Sequence, residues 1–320
     1  MREWNDNVMI PQIMQLKTVN PNLKVIASVG GWNEGTATFR SIIQTASSRS
    51  TFNQNAIQFL RQWEFDGLDV DFEYPGDSSR GSPPSDRPLF TAWMQSLRSD
   101  FEAESMSSGK QRLQLGIAIG AGKDKIDNGL DVPQLSAALD FISVMTYDFH
   151  GGWESVTGYN APLYPLPSWS NDWKQLTGSW AIDYLISKGA DRSKLMMGIP
   201  FYGRSFTLNN ANQNDIGAPA SQTGAQGKYT GERGYNAYYE TCMMTKCTTK
   251  PYTYIYDSTI KGPYMFYDRN WIATEDVNSI VAKVDFAKQR QVSLINVILR
   301  FYLECFHVMN IAWWCDGLGS

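Results

Sequence analysis

Asp69, Asp71 and Glu73 stand two residues apart in the run Phe65-Asp-Gly-Leu-Asp-Val-Asp-Phe-Glu-Tyr74, the stretch of this chain richest in potential chemistry. In a β-strand, residues two apart share a face. The three carboxyl groups would therefore line one side, while Leu68, Val70 and Phe72 line the other. They would lie within roughly 13–14 Å of strand, at about 3.3 Å per residue. Carboxylates that close repel unless one holds a proton or a cation sits among them. Three readings are open. The strand could be a solvated acidic face, a site for Mg²⁺ or Ca²⁺, or the source of a carboxylic acid that protonates a leaving glycosidic oxygen. Asp66 is an odd number of residues from Asp69, so it falls off this face and is expected to be structural.

These groups need a scaffold, and the apolar pattern supplies one. Lys24–Trp32 reads as a buried strand running into a Gly-Gly loop, and Phe52, Ala56, Phe59, Leu60 and Trp63 follow at helical spacing. After the acidic strand, Leu89, Phe90, Trp93, Met94, Leu97 and Phe101 form a second helical stripe opened by Pro88. Strands are expected at Leu113–Gly120, Phe141–Asp148 and Leu195–Tyr202. Helices are expected behind Asp131 with Pro133, over Trp180–Ile186 with Gly189 as its stop, and over Val277–Val284 with Thr274 as N-cap. Strands alternating with helices mean βα units and a parallel sheet. Residues 203–271 break the rhythm and read as an inserted α+β subdomain.

A doubly wound sheet and a (β/α)8 barrel both fit this alternation. A nucleotide-binding sheet should carry a phosphate loop after its first strand, and Val29-Gly30-Gly31-Trp32 is not one. Polar residues gather instead at strand C-terminal ends: Ser28 to Trp32, Asp69 to Glu73, Tyr147 with Asp148, and Tyr202 with Arg204. That is where barrel enzymes carry their chemistry, so the barrel is the expected fold.

Composition narrows the chemistry. A net charge of −4 without a Lys/Arg run gives no footprint for nucleic acid. Two His and four Cys without a Cys-x-x-Cys pair make a zinc site improbable. The pairing of Cys242, Cys247, Cys305 and Cys315 is not readable from spacing. Eleven Trp and sixteen Tyr suit a cleft that stacks flat apolar faces such as sugar rings. No membrane span is expected, because Arg300 and Glu304 interrupt the apolar segment 292–314.

Asp66-Gly-Leu-Asp69-Val-Asp71-Phe-Glu73 resembles the Asp-x-x-Asp-x-Asp-x-Glu signature of family 18 glycoside hydrolases, the chitinases. Ser28-Val-Gly-Gly31, Met145-Thr-Tyr-Asp148-Phe-His-Gly and Gly198-Ile-Pro-Phe-Tyr-Gly-Arg-Ser-Phe206 resemble three further motifs of that family, in its order. The resemblance runs from about residue 3 to about residue 290 and is closest to secreted animal chitinases. It implies an endo-acting, retaining, substrate-assisted cleavage of β-1,4 bonds between N-acetylglucosamine units, without metal or organic cofactor. Glu73 would be the general acid. Asp71 would hydrogen-bond the acetamido N–H, Asp69 would share or raise the proton of Asp71, and Tyr147 would orient the acetamido group. Gly30, Gly31, Trp32, Tyr74, Met145, Asp148, Trp153, Tyr202 and Arg204 would bind the substrate, with Trp32 and Trp153 stacking on sugars. Neighbouring Asp69 and Asp71 are expected to lift the pKa of Glu73 toward its working range. Chitin or chitooligosaccharides are the implied ligands, and a monomeric, extracellular protein is the implied form.

The sequence departs from the family pattern at both ends. Two family strands, and a signal peptide, are not found ahead of Trp4. The family's final Gly-Gly-x-Met-x-Trp strand has no match in residues 291–320. Expected consequences are an incomplete barrel with an open edge at Lys24–Val29, a replacement strand in Val292–Leu299, an undecided floor Trp at Trp313 or Trp314, and an unsettled partner for Cys242. Phe72 replaces a common Trp on the packing face.

Overall fold

The structure is a computed structural model that describes residues 6–246 and 250–292, with the backbone of 294–298. Cys247, Cys305, Cys315, Trp313 and Trp314 lie outside the described residues, and with them the disulfide and floor-Trp expectations. The chain divides into two compact units, Met1–Val144 with Asp183–Met196, and Met145–Ile182 with Met197–Ser320.

In the first unit β1 (Ile26–Gly30), β2 (Gly67–Asp71), β3 (Gln114–Gly120) and β4 (Phe141–Met145) lie side by side in chain order, and β5 (Leu195–Pro200) opens beside β4. The β1–β2 and β2–β3 pairs are parallel, with Ser28 opposite Asp69 and Gly30 opposite Asp71. Parallel neighbours need crossovers, and helices supply them: Ala37–Ile43 and Ala46–Gln62 after β1, and Asp86–Ser108 after β2. Thr45 caps the second of these, its hydroxyl accepting from the Ser48 amide at 3.0 Å. β1 ends the strand order, and its residues are half-buried or exposed.

Alternation on β2 works as the spacing predicts. Leu68, Val70 and Phe72 are at most 2% exposed. Phe72 stacks on Phe39 at 4.7 Å between ring centroids and meets Phe90 edge-on at 5.8 Å. Phe39 and Phe90 come from the flanking helices, so burial of this face joins sheet to helices, at about 1.5–3 kcal/mol per large side chain. The opposite face is left to the carboxyl groups.

In the second unit an antiparallel sheet runs in the order β7-β6-β11-β10-β9, where β6 is Tyr202–Leu208, β7 Ala220–Thr223, β8 Tyr235–Ala237, β9 Thr253–Asp257, β10 Gly262–Tyr267 and β11 Asn270–Ala273. β8 pairs with the start of β6. Its core is aromatic: Trp271 stacks on Tyr264 at 5.0 Å, and Tyr159, Phe206 and Leu208 close around them. β12 (Leu294–Ile298) falls inside the expected replacement strand and neighbours β5.

Three expectations need correction. The Phe141–Asp148 run leaves the sheet after Met145, so Tyr147 and Asp148 belong to the following loop. Leu195–Tyr202 is two strands, divided at Phe201, because Tyr202 already pairs antiparallel with Ala237. The helix Val277–Arg290 is capped by Asp276, which accepts from the Ser279 amide, and not by Thr274. Thr274 instead shares a buried hydroxyl contact with Thr241, a long-range pairing that no local pattern encodes.

Candidate active site

β2 delivers its carboxyl groups at its C-terminal end, where β1 turns away. Gly30 and Gly31 adopt φ of +113° and +96°, a region that glycine alone enters freely. A Cβ on Gly30 would stand 2.3 Å from the Asp71 carbonyl and 2.5 Å from the Phe39 ring. The Gly31 amide donates to that same carbonyl at 2.9 Å, and its Cα faces the Asp71 carboxylate. The two glycines are therefore what lets a loop cross the end of β2 in contact with Asp71.

Asp69 and Asp71 share the same face of β2, but Glu73 lies two residues past the last strand residue. This corrects the expectation of a single strand carrying all three: the β1 partner ends opposite Asp71, so the ladder stops there. Glu73 sits in a bend, is only 7% exposed, and its peptide bond to Tyr74 is cis. Asp69 accepts from the Ser28 hydroxyl at 2.8 Å through one oxygen. Its other oxygen is buried with no hydrogen-bond partner among the described residues. Burial pushes the Asp69 carboxyl up to about 6, and the Ser28 hydrogen bond offsets only part of that rise. Asp69 therefore keeps its proton to a higher pH than an ordinary carboxyl.

Trp32 is 49% exposed, a large apolar face held in water, and Arg80 stands against it. The Arg80 guanidinium donates from Nε to the Glu73 carbonyl and from Nη2 to the Trp32 carbonyl, both at 2.7 Å. Tyr74 is half-buried, with Lys125 Nζ 5.5 Å from its ring centroid. Asp66 lies at the other end of β2. Burial raises its pKa, but Lys17 at 2.7 Å, the Val25 amide and Lys24 together hold it below the ordinary range, the structural role expected of it.

The second unit assembles a different set. Tyr147 meets Tyr202 edge-on at 6.0 Å, and Tyr202 stacks on Tyr235 at 4.7 Å. Asp148 has φ of +56°, a conformation Asp tolerates better than most residues. The Asn160 side chain secures it there, accepting from the Asp148 amide at 2.9 Å while donating to the Tyr202 carbonyl at 3.0 Å. Asp148 takes a hydrogen bond from Arg204 Nε at 2.7 Å. Burial would lower the Arg204 pKa, yet the Asp148 carboxylate holds it above its ordinary value, so the guanidinium stays charged. Burial raises the Tyr202 phenol well above its ordinary pKa, with the Asp148 charge adding to the rise, so it stays protonated. Trp153 is 60% exposed with the Arg204 guanidinium 5.4 Å from its ring, and Met145 is half-buried at the end of β4.

Three residues in these surroundings carried no readable signal, Arg80, Tyr235 and Glu154, and His150 was legible only as part of the Met145–Gly151 motif. Arg80 sits in a Ser/Gly/Pro loop without periodicity, and Tyr235 is thirty-three residues from the ring it stacks on. His150 is fully buried against Trp173 at 4.2 Å, with Nδ1 3.0 Å from both Glu154 oxygens. Glu154 also accepts from the Gly151 amide, so the pair closes the loop that presents Trp153. Among the described residues, no group of three or more His, Cys, Asp and Glu is arranged to hold a metal ion. No described helix is long and apolar enough to cross a membrane.

Known proteins share this arrangement of elements. The chain is 43% identical to chitotriosidase-1 of Mus musculus over 288 residues, 90% of this chain and 60% of that protein, so it spans three fifths of the length of this curated relative. A crystal structure of an immunomodulatory active chitinase from Trichuris suis matches with a TM-score of 0.88 at 36% identity, covering 92% of this chain and 78% of that one. Human YKL-39, a pseudo-chitinase with retained chitooligosaccharide binding, matches with a TM-score of 0.86 at 34% identity, covering 92% and 79%. The family model for glycosyl hydrolases family 18 matches residues 1–295. With that match the α/β barrel class expected from the strand ends is the class of this chain, which belongs to glycosyl hydrolases family 18.

Proposed function

We propose that the chain is the catalytic portion of a chitinase, cleaving β-1,4 links between N-acetylglucosamine units with Glu73 as proton donor. One observation carries the reading: a buried Glu73 is retained on the bend directly past a strand whose Asp69 is pushed up to about 6. In this reading the acetamido carbonyl oxygen attacks the anomeric carbon as the Glu73 carboxyl passes its proton to the leaving oxygen. The C1–O bond breaks and an oxazolinium ion forms. Asp71 accepts from the acetamido N–H, and Asp69 shares its proton with Asp71. Tyr147 orients the acetamido group. Water then opens the ring, returning its proton to Glu73 with retention at C1. Trp32 and Trp153 offer the exposed faces on which sugars stack. The reading carries with it a monomeric, extracellular protein that needs no cofactor.

Oligosaccharide binding without turnover is a second reading, favoured by the likeness to a pseudo-chitinase. Hydrolysis of a fluorogenic chitobioside decides between them. Turnover is expected, and Glu73→Gln should lower it by about 10²–10⁴-fold, the usual contribution of a general acid. Calorimetric binding of chitooligosaccharides without any release of product would select the second reading.

A further inference from the structure

We infer that Arg80 is a positioning residue that fixes the Trp32 platform and the Glu73 bend to one another through a single guanidinium. The inference rests on the chitinase reading and assigns Arg80 a part in it that touches no substrate. Its guanidinium makes three contacts at once. Nε binds the Glu73 carbonyl at 2.7 Å, Nη2 binds the Trp32 carbonyl at 2.7 Å, and Cζ lies 3.5 Å from the centre of the Trp32 ring. A planar fork can donate in its own plane while stacking with its face, which an ammonium cannot do. The acid's backbone, the tryptophan's backbone and the indole plane are thus set by one rigid group.

That group is itself held. The Arg80 carbonyl accepts from the Thr36 hydroxyl at 2.6 Å, and its amide donates to the Asp77 carbonyl at 3.1 Å. Asp77 caps the short turn through the Ser79 amide, and Gly81 leaves it at φ of +87°. Behind the turn, Ser82 links the Gly76 amide to a buried Asp86 that also takes Arg40 at 2.8 Å. The bracket from Gly76 to Asp86 therefore closes on the starts of two helices, and Arg80 projects from a fixed base.

Two consequences follow. Trp32 is half-exposed yet cannot swing freely, because one face of the indole is covered by the cation and only the other is open to a sugar. The Glu73 peptide cannot rotate without losing a charge-assisted hydrogen bond, so the direction of the acid is tied to that of the platform.

The test uses Arg80→Ala and Arg80→Lys, each with and without Trp32→Phe. The Trp32 contribution to acrylamide quenching, taken as the difference between the paired proteins, is expected to rise about twofold in both Arg80 variants. Activity on chitooligosaccharides long enough to reach Trp32 is expected to fall about tenfold in kcat/KM, with both kcat and KM moving and Arg80→Lys giving no rescue. Arg80→Lys keeps the charge and the alkyl stem, so it guards against simple misfolding. An unchanged Trp32 contribution, or full rescue of both readouts by Lys, overturns the inference. If the unmodified chain neither binds nor cleaves the oligosaccharides, the functional reading fails, and the quenching difference still decides whether Arg80 holds Trp32.

Discussion

The two ends of the parallel sheet in the first unit treat their carboxylates in opposite ways. At the N-terminal ends, Asp66 before β2 and Asp140 before β4 are surrounded by cations. Asp140 takes Arg98 and the two terminal nitrogens of Arg112 at 2.7–2.9 Å, with the Leu115 amide at 2.8 Å. Burial raises its pKa, but those donors win and hold it at about 2. Farther toward the C-terminal end, midway along β2, Asp69 has one neutral donor among the described residues, and burial pushes it up to about 6. The same residue type on one sheet is thus held toward the anion in one place and pushed toward the protonated acid in the other. A fully paired carboxylate stabilises the fold; an under-paired one can exchange a proton during a reaction.

The contrast can be broken by substitution at each end. The largest effect is expected from Glu73→Gln, which should abolish about 10²–10⁴-fold of the hydrolysis while leaving the thermal midpoint nearly unchanged. Asp140→Ala should do the reverse. It strands Arg98 and Arg112 and should cost about 2–3 kcal/mol in urea titrations, with kcat preserved in the folded fraction. Loss of catalysis in Asp140→Ala at full stability would erase the distinction between the ends. In the second unit, Asp148→Asn removes the charge that Arg204 pairs with. It should weaken oligosaccharide binding about tenfold, or about 1.4 kcal/mol, by calorimetry.

The smallest effect sharpens the comparison most, because the two ends titrate with opposite sign. The raised pKa of Asp69 means that between about pH 4 and about pH 6 the folded chain keeps a proton the unfolded chain has lost. Its contribution to stability therefore falls as pH rises through that window. The lowered pKa of Asp140 gives a contribution that is present above about pH 4 and lost as pH falls toward 2. Asp69→Asn should flatten the pH 4–6 segment of the stability profile by about 1–2 kcal/mol, and Asp140→Asn should flatten only the segment below it. A slope between pH 4 and 6 unchanged in Asp69→Asn would remove Asp69 as its source.

Alternation alone placed Leu68, Val70 and Phe72 in the core and Asp69 and Asp71 on the free face, because a strand's period of two depends on nothing distant. The helices around Phe59 and Trp93 and the N-cap at Asp131 were legible for the same reason, since a helical period and a cap are local events. Glu73 was legible as a residue but not as a bend, because the end of β2 is set by where β1 stops, and β1 stops at two glycines forty residues away.

What the residue order determined by itself, then, is which groups are on offer: three acids around a strand's end, the ordered motifs around them, and an apolar face that forces Asp69 and Asp71 to the other side. What only the tertiary structure decided is which of these groups is matched. Asp66 and Asp69 differ by three positions, yet one meets Lys17 and Lys24 and the other meets a single serine. Arg80 finds Trp32 across forty-eight residues. Charge, burial and hydrogen bonding are properties of neighbours in space, and a pKa is the sum of those neighbours, so no reading of order alone assigns it.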